Sequence, residues 1–120
     1  GITVRPGTRV SEVTQHSVRC ESGTAVEADF VFWVTQALPP SWLTKSGLAV
    51  TPEGYIRVAA TLQSLSHSWV FAAGDVATLE NVSPPKAGVF AVRMAKPLVT
   101  NLRAYGAGVP MQPYQPQRHF

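Results

Sequence analysis

The stretch from Val70 to Ala77 constrains this chain more than any other, because an apolar run, Val-Phe-Ala-Ala, stops abruptly at Gly74-Asp75 and a long amphipathic segment follows. That order predicts a buried strand that delivers a carboxylate to the mouth of a sheet, and with it a mixed α/β fold. In open α/β sheets, ligands bind at the carboxyl ends of strands, where helix N-termini offer free N–H groups to anionic or carbonyl oxygens. Gly74 lets the backbone come close to a ligand, and Asp75 can accept hydrogen bonds from sugar-type hydroxyls. From the dipeptide alone, a plain Gly-Asp turn that caps the next segment reads equally well.

The segment after Asp75 carries the stronger signal. Apolar residues fall at Ala87, Phe90, Ala91, Met94, Ala95, Leu98, Val99 and Leu102, the i, i+3, i+4, i+7 stripe of a helix with one face in a core. Pro84 and Pro85 suit its first turn, where a missing N–H costs nothing, and Gly106 sits where a left-handed residue ends a helix after Tyr105. About 21 residues at 1.5 Å each span about 30 Å. Pro97 removes one N–H and crowds the carbonyl four residues back, so the segment reads as one kinked helix or as two meeting near Arg93 to Pro97.

The first third has a shorter period. Ile2 to Val4, Arg9 to Val13 and Ser17 to Cys20 alternate or pair apolar residues between the turn formers Pro6-Gly7 and Ser22-Gly23, which predicts a small antiparallel meander. Phe30 to Val34, Phe-Val-Phe-Trp-Val, is continuously apolar and reads as a strand buried on both faces. Ala37 to Pro52 is a loop-rich crossing with a short helical turn through Trp42 to Lys45. Gly54 to Val58 then reads as a short exposed strand with Ile56 and Val58 on one side, and Ser64 to Ser68 as a polar turn.

Composition narrows the function. A chain of 120 residues, 45% hydrophobic and 14% charged, is long enough for one core. Cys20 is the single cysteine, so no Cys-x-x-Cys pair is available for dithiol chemistry, and a cytoplasmic protein with Cys20 as a small buried residue is expected. His16, His67 and His119 have no metal-ligand spacing and read as surface residues. The net charge of +3 includes Lys86, Arg93, Lys96 and Arg103 toward one helical face, but without interleaved aromatics; a solvated face and no nucleic-acid partner are expected. No apolar run approaches the roughly 20 residues that cross a membrane.

The runs VFAAGDVA (Val70 to Ala77) and PPKAGVFAVRMAKPLVTNL (Pro84 to Leu102) resemble the second FAD-contacting motif of the two-dinucleotide-domain flavoproteins, the pyridine nucleotide-disulfide oxidoreductase superfamily. Within it the chain looks closest to the type II NADH dehydrogenase and sulfide:quinone reductase branch. The Pro-Lys-Ala-Gly-Val-Phe-Ala-Val-Arg run, with Tyr114-Gln115-Pro116-Gln117 after the helix, is most similar to the flavoprotein domain fused to some selenide, water dikinases. The resemblance implies FAD as cofactor and NAD(P)H as reductant. It places Asp75 at the ribityl hydroxyls, with Gly74 also cofactor-binding, and Lys86, Ala87 and Gly88 at the flavin ring. Charge near the flavin's N1 and O2 grows on reduction, which helix N-terminal amides and a Lys86 ammonium would stabilise. A lysine that is simply solvated is the ordinary alternative.

The same resemblance implies that residues 1–36 are the end of an NAD(P)H-binding domain, with Asp29 before the buried strand. Residues 37–69 are then the crossover to the FAD domain, 70–106 the second FAD-contacting motif and helix, and 107–120 a linker. Where the family carries an Ala-Thr-Gly-like motif, this chain has Val34-Thr35-Gln36, and Gln36 puts bulk where glycine lets a dinucleotide approach. No Gly-x-Gly-x-x-Gly occurs. The expectation is therefore an incomplete two-dinucleotide-domain fold, part of a larger FAD-dependent oxidoreductase whose remainder supplies the missing half-sites. Its expected partners are that remainder, a small-molecule quinone, sulfur or selenium acceptor, and a second copy through exposed sheet edges. The alternatives are the dikinase-fused flavoprotein and a non-catalytic scaffold.

Overall fold

The computed structural model of the chain describes residues 1–35, 37–82 and 85–117. The chain divides into two compact units, Gly1–Thr35 and Gln36–Phe120.

The first unit is the expected meander with a different third strand. β1 (Val10–Val13), β2 (Ser17–Cys20) and β3 (Ala25–Glu27) form an antiparallel sheet in the order β1-β2-β3. A bulge between Val10 and Glu12 still leaves Glu12 opposite Arg19, and their side chains meet at 3.1 Å on the open face. An exposed pair of this kind contributes at most about 1 kcal/mol. Gly23, at φ +82°, makes the β2–β3 turn, with Cys20 N–H bonded to Thr24 O. Ile2 to Val4 forms no strand. Cys20 is buried.

Phe30 to Val34 departs from expectation altogether. It is neither a strand nor buried: Phe32 is 88% and Val34 95% exposed. A strand apolar on both faces needs a layer on each, and the described part of this unit offers only three short strands. Gln36, whose bulk bears on pyridine-nucleotide access, lies outside the described residues.

In the second unit, β4 (Ile56–Val58) pairs with β5 (Ala77–Leu79) in parallel, with Ile56 opposite Ala77 and Val58 opposite Leu79. β4 is not an exposed strand: alternation turns Ile56 and Val58 into the core and leaves Arg57 outside. Leu43 from a 3₁₀ turn at Ser41–Lys45, together with Leu62, Ala72, Ala77, Leu79 and Met94, completes that core. Leu62 is fully buried at φ +66°, a conformation that costs an L residue about 1–2 kcal/mol. Burying its side chain yields about 1.5–3 kcal/mol, enough to hold the strained turn Ala59–Leu62 inside.

The apolar run Val70 to Ala73 is not the expected strand. It makes one isolated bridge, Gln63 to Phe71, and irregular backbone bonds in which Val70 O accepts from Ser64 N–H, Val70 N–H donates to His67 O and Ala72 N–H donates to Leu62 O. The regular strand comes after Gly74-Asp75, because that is where β4 supplies a neighbour.

α1 (Gly88–Ala107) is a single helix with Pro97 inside it. It begins later than the prolines imply, Pro84 lying outside the described residues, with Ala87 as N-cap. It ends later too: Gly106 is within it, and Gly108 at φ +67° is the left-handed cap, donating to Tyr105 O while Val109 N–H reaches Ala104 O. Phe90, Met94, Asn101 and Ala104 form the buried face, whereas Ala95, Val99 and Leu102 are exposed. That rotation follows from Asn101, whose amide bonds Thr61 O at 2.9 Å, Gln112 O at 2.8 Å and Gln112 N–H at 2.9 Å, drawing a polar residue into the interface.

Candidate functional site

Gly74, Asp75 and Val76 form one 3₁₀ turn, entered from extended Ala73 and closed by Ala77 N–H on Gly74 O. The turn immediately precedes β5, so Asp75 stands at the amino end of a parallel strand, not at the carboxyl end its sequence context implies. Gly74 is needed twice. Its φ is +72°, and a Cβ there would meet Ala91 Cβ of α1 at 3.3 Å. Its N–H points to Met94 Sδ at 3.1 Å. The close approach that glycine permits is thus made by α1. Asp75 is half-buried, and its carboxylate accepts no hydrogen bond from any described residue.

Lys86 reaches back across the same turn. Its ammonium donates to Ala77 O and, at 3.0 Å, to Thr78 Oγ1, and it lies 4.4 Å from the centroid of the Tyr55 ring. Burial pushes its pKa below the ordinary lysine value, and the negative charge of Asp75 opposes that shift in part. The unfolded chain therefore holds the Lys86 proton over a pH window just below the ordinary value in which the folded chain releases it. Stability contributed by Lys86 rises with pH across that window. Lys86→Met should flatten this slope, read as urea midpoints of the two proteins from neutral pH into the lysine range; parallel curves would show that Lys86 titrates alike in both states.

At the start of α1, the N–H groups of Gly88 and Val89 have no hydrogen-bond partner among the described residues, while Ala87 O already takes those of Phe90 and Ala91. Both open amides are at exposed positions. Gly74, Asp75, Lys86, Phe90 and Met94 line a crevice of about 10 Å³, the room of about one water molecule. A carboxylate that accepts no hydrogen bond from the described residues, in a turn packed on a helix whose first amides are open, fits a ligand with hydroxyls at one end and carbonyl or anionic oxygens at the other. Lys86 fits less directly, since its donors face β5 and Tyr55.

Sequence reasoning passed over two residues that shape this region. Tyr55 reads from the sequence only as part of the Gly54 to Val58 strand, and its role needs the fold that puts it over Lys86. Asn101 broke the apolar stripe and could have been flagged on that ground. His67 is half-buried and edge-on to Trp69, with ring centroids 5.1 Å apart, and is not a plain surface residue; His119 lies outside the described residues. Among the described residues no group of His, Cys, Asp or Glu is placed to hold a metal, and no helix is long and apolar enough to cross a membrane.

A parallel strand pair with a Gly-Asp turn at its edge and a long helix against it defines part of an α/β dinucleotide-binding fold of the flavoprotein oxidoreductase kind. The chain belongs to the pyridine nucleotide-disulphide oxidoreductase family, whose sequence model matches residues 1–96. Members of that family generally bind FAD and NAD(P)H. No curated protein matches the chain.

Proposed function

We propose that this chain belongs to an FAD-dependent NAD(P)H oxidoreductase and contributes the face that meets the ribityl chain and the pyrimidine edge of the flavin. The observation that carries the reading is the Asp75 carboxylate, half-buried and accepting no hydrogen bond from any described residue, in the turn that packs against α1, whose first amides at Gly88 and Val89 are open among the described residues. Asp75 accepts hydrogen bonds from ribityl hydroxyls; the amides, at the positive end of α1, take the edge where reduction adds negative charge. Bound flavin supplies the capacity to accept a hydride and pass electrons onward. In this reading Lys86 acts from behind the turn, through the field of its ammonium.

The same proposal assigns residues 1–36 to an NAD(P)H-binding domain and 70–106 to the FAD side, with a quinone, sulfur or selenium species as acceptor. It places the protein in the cytoplasm, in the branch of type II NADH dehydrogenases and sulfide:quinone reductases or of the flavoprotein domain fused to selenide, water dikinases. The tail with Tyr114-Gln115-Pro116-Gln117, which favours the dikinase-like form, is tied to the second unit by Tyr114 N–H on Ala60 O.

The test is FAD titration of the larger oxidoreductase, with the remainder that completes its nucleotide sites, and of its Asp75→Ala variant. Charge-assisted hydrogen bonds contribute about 1.5–3 kcal/mol, so affinity is expected to fall about 10- to 100-fold. Equal affinity of the two proteins would remove Asp75 from the site, and a protein that ignores FAD altogether would turn the reading to a scaffold.

A further inference from the structure

We propose that Tyr55 is a positioning residue: its ring face, with Thr78, clamps the Lys86 ammonium against the first residue of β5 and so sets the orientation of the turn from which α1 starts. The inference rests on the flavin reading only for its consequence, since the clamp is a property of the chain itself. Its parts form one continuous path. Tyr55 Oη donates to Ala37 O at 2.8 Å, which holds the phenol ring in place. The ring presents its face to Lys86 Nζ at 4.4 Å, and the ammonium spends its remaining donors on Ala77 O and on Thr78 Oγ1 at 3.0 Å. Lys86 is one residue before the N-cap Ala87, so the pitch of the first turn of α1 depends on where the lysine backbone is held.

Three alternatives for this lysine can be compared. A solvated lysine would point outward, and this one is half-buried. A lysine paired to Asp75 would bond the carboxylate, and no such bond or ion pair is present among the described residues. A lysine aimed at a ligand would keep donors free, whereas here the carbonyl, the hydroxyl and the ring face account for them. A cation over an aromatic face gains most when it is partly desolvated, as here. What the clamp fixes in turn is the pair of open amides at Gly88 and Val89, whose direction decides whether α1 can meet the pyrimidine edge of a flavin.

The experiment needs no cofactor. In the 120-residue chain, the ε-protons of Lys86 should be shifted upfield by the Tyr55 ring, and the amides of Phe90 and Ala91, which close the first turn of α1 on Ala87 O, should exchange slowly relative to an unanchored helix start. Tyr55→Leu is expected to abolish the ring shift and to raise exchange at both amides by about two- to fivefold, the range that losing such a contact allows, with the rest of α1 unchanged. Tyr55→Phe keeps the face and should keep the ring shift. Thr78→Val removes one acceptor and should speed the same two amides with the tyrosine intact. Unshifted ε-protons in the original protein, or unchanged exchange in Tyr55→Leu and Thr78→Val alike, would overturn the clamp. Should Tyr55→Leu fail to fold, the ring shift and Thr78→Val decide it. Failure of the larger oxidoreductase to bind FAD, with the chain showing all these signatures, would reject the flavin reading and leave the clamp standing.

Discussion

Asn101→Leu is expected to lower the stability of the unit Gln36–Phe120 by about 3 kcal/mol, a fall in Tm of more than about 10 °C for a unit this size. Asn101 is 1% exposed, and all three of its hydrogen bonds go to backbone. Leucine matches its bulk but leaves Thr61 O, Gln112 O and Gln112 N–H without their partner. Buried groups left so cost about 1–3 kcal/mol each, and the exposed Gln112 recovers part by turning to water. The loss is concentrated at Thr61, in the strained turn that carries Leu62 at φ +66°. With Asn101 gone, that turn and the tail through Tyr114 lose their shared anchor on α1. Thermal unfolding with tail proteolysis checks this: a Tm within about 2 °C of the original and an uncut tail would show that water replaces the clamp at little cost.

Gly74→Ala is expected to cost about 2 kcal/mol and to weaken FAD binding as well. A left-handed backbone costs alanine about 1 kcal/mol or slightly more, and the new Cβ would stand 3.3 Å from Ala91 Cβ, so α1 must give way by a few tenths of an ångström. Gly47→Ala separates the two causes. Gly47 has φ +79° with open space around its Cβ position, so it pays the backbone cost alone, about 1 kcal/mol. If both variants lose the same stability, helix contact at Gly74 has no energetic weight. The FAD titration adds a second reading, because moving α1 relative to the Gly74-Asp75 turn also moves the open amides at its start.

Much of the fold was legible. Alternating residues in β1, β2 and β4 and the helical period from Phe90 onward reflect local geometry that any partner would exploit, so the sequence marks them whatever packs against them. The elements that were misread depend on neighbours. Phe30 to Val34 has strand composition, but its ladder and both covering layers must come from elsewhere. Val70 to Ala73 has it too, yet β4 lies alongside Ala77–Leu79 instead. Both helix ends moved because a cap is decided by which residue takes the left-handed or extended conformation, and Gly106 and Gly108 are equally able to do so.

The candidate site divides along the same line. Its residue types were present in the sequence: a flexible glycine and a carboxylate ahead of a helix start with small residues, the chemistry that meets hydroxyls and developing negative charge. Family membership rests on the sequence as well, since the match over residues 1–96 is a property of residue order. Tertiary structure alone decided that Gly74 yields its space to Ala91, that Lys86 turns inward to β5 and the Tyr55 face, and that the Asp75 carboxylate accepts no hydrogen bond from any described residue. The reason is physical: a residue's identity sets what it can bond, but distances near 3 Å between residues 8 to 40 positions apart arise only once strand pairing and helix packing have closed the chain on itself.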